Sequence, residues 1–173
     1  MELEVVKKLI KKYTAGHGAF LARTATADRY YRNQTDILLE PPKKRETEQG
    51  ENPLRNADNR IPLNFHGLLV NQKASYMFTA PPLFDLGNKQ ANKLLTAFLG
   101  DKFAKTCKDL CVEASNASVA WLHLWKDKTS SQYKYAMVPS GQVIPVWSNN
   151  LERELKGVLR CYHDVTDDGR ELD

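Results

Sequence analysis

Apolar positions along the chain fall first at helical spacing and later at alternate residues. Leu3, Val6, Ile10 and Tyr13 form one stripe, widened by Val5 and Leu9, while Lys7, Lys8, Lys11 and Lys12 fall mostly on the other side. This predicts a short amphipathic helix. Gly16 and Gly18 should break it, and a second helical stretch is predicted from about Phe20 to Leu39, carrying Tyr30-Tyr31 between Arg29 and Arg32. From Glu40 to Arg60 the chain holds Pro, Lys, Arg, Asn and mixed charge with almost no apolar residue. Such a stretch cannot bury itself and reads as a flexible polar strap. The domain plan is therefore a helical arm over 1–39, a strap over 40–61 and a main region over 62–173.

From Pro62, the residues Leu63, Phe65, Leu68, Leu69, Val70, Ala74, Tyr76, Met77 and Phe78 give a broad apolar face at helical spacing, with Asn64 as cap. This is predicted to be the most buried helix, and Pro81-Pro82 must stop it. A short extended piece, Leu83 to Leu86, should follow. Asn88 should cap a helix through Leu99 with Leu94, Leu95 and Phe98 inward, and Gly100-Asp101 supplies a C-terminal glycine beside a new N-cap. Phe103, Cys107, Leu110, Cys111 and Ala114 then share one helical face.

After Asn116 the period becomes two. Val119, Trp121, His123 and Trp125 alternate with Ala120, Leu122 and Leu124, and a polar turn, Asp127 to Ser131, leads into a strand from Gln132 to Val138. Strands Gln142–Trp147 and Leu155–His163 should complete a meander. Helices followed by antiparallel strands make the class α+β. Asp168-Gly169 is a hairpin-turn signal, and Glu171 should start a returning strand. That strand is missing from the sequence, so the chain is expected to be a fragment whose sheet continues past residue 173.

Composition narrows the function without naming it. The 173 residues are 42% apolar, enough for a core. Lys and Arg exceed Asp and Glu by 25 to 21, with 12 against 9 in residues 1–60, too mild a balance to announce a nucleic-acid binder. Three unevenly spaced cysteines make no disulfide scaffold, which favours a reducing compartment. The longest apolar run, Val119 to Trp125, is far short of the roughly 20 residues of a membrane span. The order of the first residues is not that of a secretory signal, so the protein is expected to stay where it is made.

Candidate chemistry is sparse. No glycine-rich phosphate cradle occurs, and Pro139-Ser140-Gly141 is a turn, not a nucleophile elbow. Cys107 and Cys111 share a helix face and Cys161 with His163 a strand face, but the spacing matches no compact zinc signature, and core packing is the expected role. His17, His66 and His123 lack a local partner of the kind a general base needs. The carboxylates are scattered. No catalytic, cofactor or metal residue is assigned. Lys43, Lys44 and Arg45 in the strap are the candidate nucleic-acid contacts, and Arg29-Tyr30-Tyr31-Arg32 interleaves cations and aromatics as a single-strand surface would. A solvated loop and a packing anchor are the respective plainer readings.

The order of signals resembles the tailed-bacteriophage portal (head–tail connector) proteins. The resemblance is carried by 29–38 (Arg-Tyr-Tyr-Arg-Asn-Gln-Thr-Asp-Ile-Leu), then 58–65 (Asp-Asn-Arg-Ile-Pro-Leu-Asn-Phe) leading into 69–78 (Leu-Val-Asn-Gln-Lys-Ala-Ser-Tyr-Met-Phe) and Pro81-Pro82. It continues in Ala120-Trp121-Leu122-His123, Val138-Pro139 and 143–147 (Val-Ile-Pro-Val-Trp), and closes with Leu155, Val158, Leu159 and Arg160-Cys161-Tyr162. Ser75, Thr79 and Ala80 stand where the family usually has glycines. The resemblance implies the N-terminal arm and wing of a subunit in a ring, typically a dodecamer, at one capsid vertex, through which DNA is packaged and ejected. It implies a structural role without catalysis, made in the bacterial cytoplasm and ending in the virion. The implied partners are other portal subunits, capsid and scaffolding proteins, the terminase, tail adaptors and passing DNA, with no membrane. The residues themselves leave open a monomeric nucleic-acid-binding module using Lys43, Lys44, Arg45 and Arg29–Arg32, or a small enzyme.

Overall fold

In a computed structural model, which describes residues 3–39, 60–162, 164–165 and 171–172, five helices precede three antiparallel hairpins. The class is α+β, as its pattern predicts. Helix α1 (Leu3–Thr14) has Glu4 in its first turn and Lys11 and Lys12 in its last, the order that the helix dipole favours. Helix α2 (His17–Tyr31) starts earlier and stops sooner than its spacing predicts. Gly18 sits inside it, and only Ala15 and Gly16 separate the two helices. The helix ends because Asn33 turns left-handed, at φ 63°, and the amides of Arg32, Asn33 and Gln34 close back onto Asp28, Tyr30 and Arg29 carbonyls. What remains of the predicted stretch is one 3-10 turn, Asp36–Leu38.

Helix α3 (Phe65–Met77) is capped by Asn64, whose Oδ1 accepts the Gly67 amide at 2.9 Å. Its burial corrects the expectation of a broad covered face. Gly67, Val70 and Ala74 alone are buried, Ala74 completely. These three small or slim residues let α3 approach helix α5 (Lys102–Ala117) and α2. Helix α4 (Lys89–Leu99) is capped by Asn88, which accepts from the Gln90 and Ala91 amides. Leu95 and Phe98 are half-buried, but Leu94 is exposed, contrary to its predicted inward setting. Gly100 ends α4 at φ 59°, and Asp101 gives no side-chain cap to α5. The piece 83–86 forms no strand. Asn92 accepts the Leu86 amide and donates to Asp85, which also accepts the Gly87 amide, so side chains brace the end of this unpaired segment at the bend before α4.

The strands follow meander order without joining into one sheet. Strand β1 (Trp121–Lys126) pairs with β2 (Tyr133–Val138), and β3 (Val143–Trp147) pairs with β4 (Leu155–Arg160), as two separate two-stranded sheets. Between them, Pro139 to Gln142 makes a 3-10 corner. Ser140, fully buried there, donates its amide to Glu113 and its hydroxyl to the Val119 carbonyl, which fixes the chain to the end of α5 and turns β3 away from β2. Pro145 lacks a ladder donor, which suits a strand paired on one edge. Strand β4 stops at Arg160, where the Cys161 amide bonds back to the Gln142 carbonyl. The strand expected to be missing is present as a two-residue stub: Glu171–Leu172 (β6) pairs with Asp164–Val165 (β5). The Asp168-Gly169 turn and His163 lie outside the described residues.

The core is small. Val70, Ala74, Ala117, Val138, Val143 and Ile144 are its buried apolar members. Phe98 and Phe103 meet Tyr135 edge-on at 5.6 Å and seat the first hairpin on the α4–α5 corner.

Candidate interaction surfaces and family membership

The Arg29–Arg32 segment sits at the last turn of α2, where backbone reversal brings Asp36 back over the helix. Tyr30 donates to Asp36 at 2.7 Å and Arg29 forms an ion pair with the same carboxylate. The guanidinium bond first, and the tyrosine bond second, hold the Asp36 carboxyl below its ordinary range. The Asp36 carboxylate in turn raises the Tyr30 hydroxyl. Tyr31 donates to Asn71 of α3 at 2.9 Å, and Asn64 donates to the Tyr31 carbonyl, tying arm to α3. Arg32 pairs with Asp28. All four side chains are thus engaged within the chain, which matches a packing anchor. Lys43, Lys44 and Arg45 lie outside the described residues.

The histidines have partners that sequence spacing does not reveal. His17 Nε2 lies 2.8 Å from the Gly141 carbonyl, and the ring stacks on Phe20. His66 meets Asn116 Oδ1 at 2.8 Å, joining α3 to α5. His123 lies against Trp125 on the outer side of the first hairpin. These contacts staple elements together across 124 and 50 residues of chain, a separation at which no local pattern can signal them. Cys107 and Cys111 face α3, where the Cys111 thiol lies 3.8 Å from the Met77 sulfur. Burial pushes the Cys107 thiol up, opposite to what a metal ligand or nucleophile requires. Among the described residues no three His, Cys, Asp or Glu side chains gather as a metal site would, and no helix is long and apolar enough to cross a membrane.

Exposed apolar surface is the dominant feature. On α3, Phe65, Leu68, Leu69 and Tyr76 face away from the buried Gly67–Val70–Ala74 line, with Leu69 64% and Tyr76 88% exposed. Ile61 and Leu63 are exposed just before that helix, Ile37, Leu38 and Leu39 are exposed after α2, and Leu83 stands 96% exposed after α3. Gln72, Lys73 and Ser75 interrupt this outer face, but its four large apolar side chains make an exposed patch of the kind that marks interaction sites.

A family model described as phage portal protein, SPP1 Gp6-like, matches residues 10–172. The chain belongs to this portal protein family. The portal protein of Clostridium phage phiCD119 is 44% identical over 177 aligned residues, covering 96% of this chain and 38% of that protein. The portal protein of Bacillus phage SPP1 is 27% identical over 105 residues, 61% of this chain and 21% of that protein. This portal chain therefore spans less than half the length of either relative. Its five helices and small antiparallel sheets suit part of a larger portal fold.

Proposed function

We propose that this chain is the arm and part of the wing of a structural portal subunit. Copies assemble into a closed ring, typically a dodecamer, at a capsid vertex, where the ring forms part of the channel for DNA packaging and ejection and joins head to tail. Family membership supports this reading, and one structural observation carries it: the apolar outer face of α3 with no cover from the described residues. Surface of that kind is stable when a neighbour covers it, and heterologous contacts between identical subunits close into rings. The two-stranded sheets add unpaired edges that a neighbour can complete. Capsid and scaffolding proteins, the terminase and tail adaptors are the corresponding partners, and the virion the destination. The role is structural, with motor chemistry left to another protein.

Native mass spectrometry of the chain lengthened to the full span of its portal relatives tests this. The expected result is a ring of one defined subunit number, with its central hole visible by negative-stain microscopy. A lengthened chain that stays monomeric at micromolar concentration overturns the reading.

A further inference from the structure

Helix α1 is a helix without sufficient cover of its own. Twelve residues is marginal for an isolated helix in water, and none of its residues is buried. It leans on α2 and β3, but only Val6 and Tyr13, in the middle of its apolar stripe, are half-buried among the apolar residues. Both flanks of the stripe stay open: Leu3 and Ile10 on one side, 67% and 42% exposed, Val5 and Leu9 on the other, 45% and 37% exposed.

Its charge is one-sided. Lys7 meets Glu4 at 3.4 Å, while Lys8, Lys11 and Lys12 have no carboxylate within ion-pair distance among the described residues, Lys12 resting 5.2 Å from the Tyr13 ring centre. Beside the last turn of α1 lies an open cavity of about 350 Å³ lined by Tyr13, His17, Phe20, Trp121, Ile144 and Trp147 among others.

We infer that α1 and this cavity form a docking site for an acidic amphipathic segment of another protein. The segment sets carboxylates against Lys8 and Lys12, lays apolar groups on the Val5–Leu9 flank that adjoins them, and inserts an apolar anchor in the cavity. This is helix-in-groove recognition with charge complementarity setting partner choice. A bilayer fits less well, because the centre of the stripe already faces the protein and only its two edges could reach acyl chains. The inference goes beyond the ring reading and does not depend on it, since a single subunit carries the whole site.

The probe is a fluorescein-labelled helical peptide with glutamates on its polar face and leucines with one tryptophan on its apolar face. Its twin has every glutamate replaced by lysine, and anisotropy is read at low and physiological salt. The acidic peptide is expected to bind this chain roughly tenfold or more tighter than the twin, with the preference shrinking as salt rises. Reversing Lys8 and Lys12 to glutamate should invert the preference. Neutralising them to glutamine, which keeps helix propensity, should abolish it. Equal affinity for both peptides, no inversion on charge reversal, or tighter binding to phosphatidylglycerol vesicles that displaces the acidic peptide overturns the inference. Binding by the monomeric chain stands or falls without reference to ring assembly, so the two failures are distinguishable.

Discussion

Single residues do long-range work in this fold, and Ser140 does the most. It is fully buried, and its amide and hydroxyl each hold one bond, to Glu113 and to the Val119 carbonyl. Ser140→Ala removes the hydroxyl at little change in volume and leaves the Val119 carbonyl without its donor, and Glu113→Ala strips the acceptor from the Ser140 amide. Each should cost about 1–3 kcal/mol, read as a shift in the urea midpoint at unchanged slope. An exposed control, Ser75→Ala, should move it far less. Pro139-Ser140-Gly141 is legible as a turn because proline and glycine punctuate a chain locally. That its serine is buried and locked to a helix 27 residues earlier is not legible, because nothing near Ser140 in sequence encodes Glu113. The same holds for His17 and His66, whose partners lie far along the chain.

Elements whose ends are set by local chemistry follow the sequence closely. Asn64 and Asn88 cap α3 and α4, and Gly100 ends α4. Elements whose ends are set by tertiary contacts do not: α2 stops where Asn33 turns left-handed and Asp36 returns to Arg29 and Tyr30, and the meander divides at the Ser140 corner. The β1–β2 hairpin belongs to the first kind. Its turn is organised by Asp127, which accepts from Lys134, Ser130 and the Thr129 amide. The Lys134 bond first, then Ser130 and Thr129, hold the Asp127 carboxyl well below the ordinary carboxylate range. A folded-state pKa depressed below the unfolded value means the contribution is fully present above the ordinary carboxylate range and lost as pH falls through the folded value. The turn should therefore stay ordered through mildly acidic pH and loosen only under strong acid. Asp127→Asn should loosen it at every pH and remove that dependence. The Thr129 amide proton shift followed by NMR across an acid titration checks both, and a titration of the wild-type turn at ordinary carboxylate pH would contradict the assignment.

For the molecule as a whole, family and class were readable in the order of its motifs, while the state of its surface was not. The spacing of Phe65, Leu68, Leu69, Val70, Ala74 and Tyr76 reads as a helix to be buried, and a sequence pattern cannot say whether the cover comes from the same subunit or from outside it. Within the described residues the cover on one side is Gly67, Val70 and Ala74 against α5 and α2, and the other side is bare. This asymmetry separates two quantities that usually change together. A charge placed on a covered face destabilises the fold, whereas one placed on a bare face leaves the fold alone and acts on association. Leu69→Glu with Tyr76→Glu should thus shift this chain's unfolding free energy by no more than roughly 0.5 kcal/mol per site, while raising its solubility and suppressing concentration-dependent light scattering. In the lengthened chain the same pair should block ring formation. Ala74→Glu, one helical turn away on the covered side, should do the reverse and unfold the chain outright, since a buried unpaired carboxylate between α3 and α5 has nothing to neutralise it. If the double variant is as destabilised as Ala74→Glu, the outer face of α3 is packed within the subunit, and the assignment of that face to association fails.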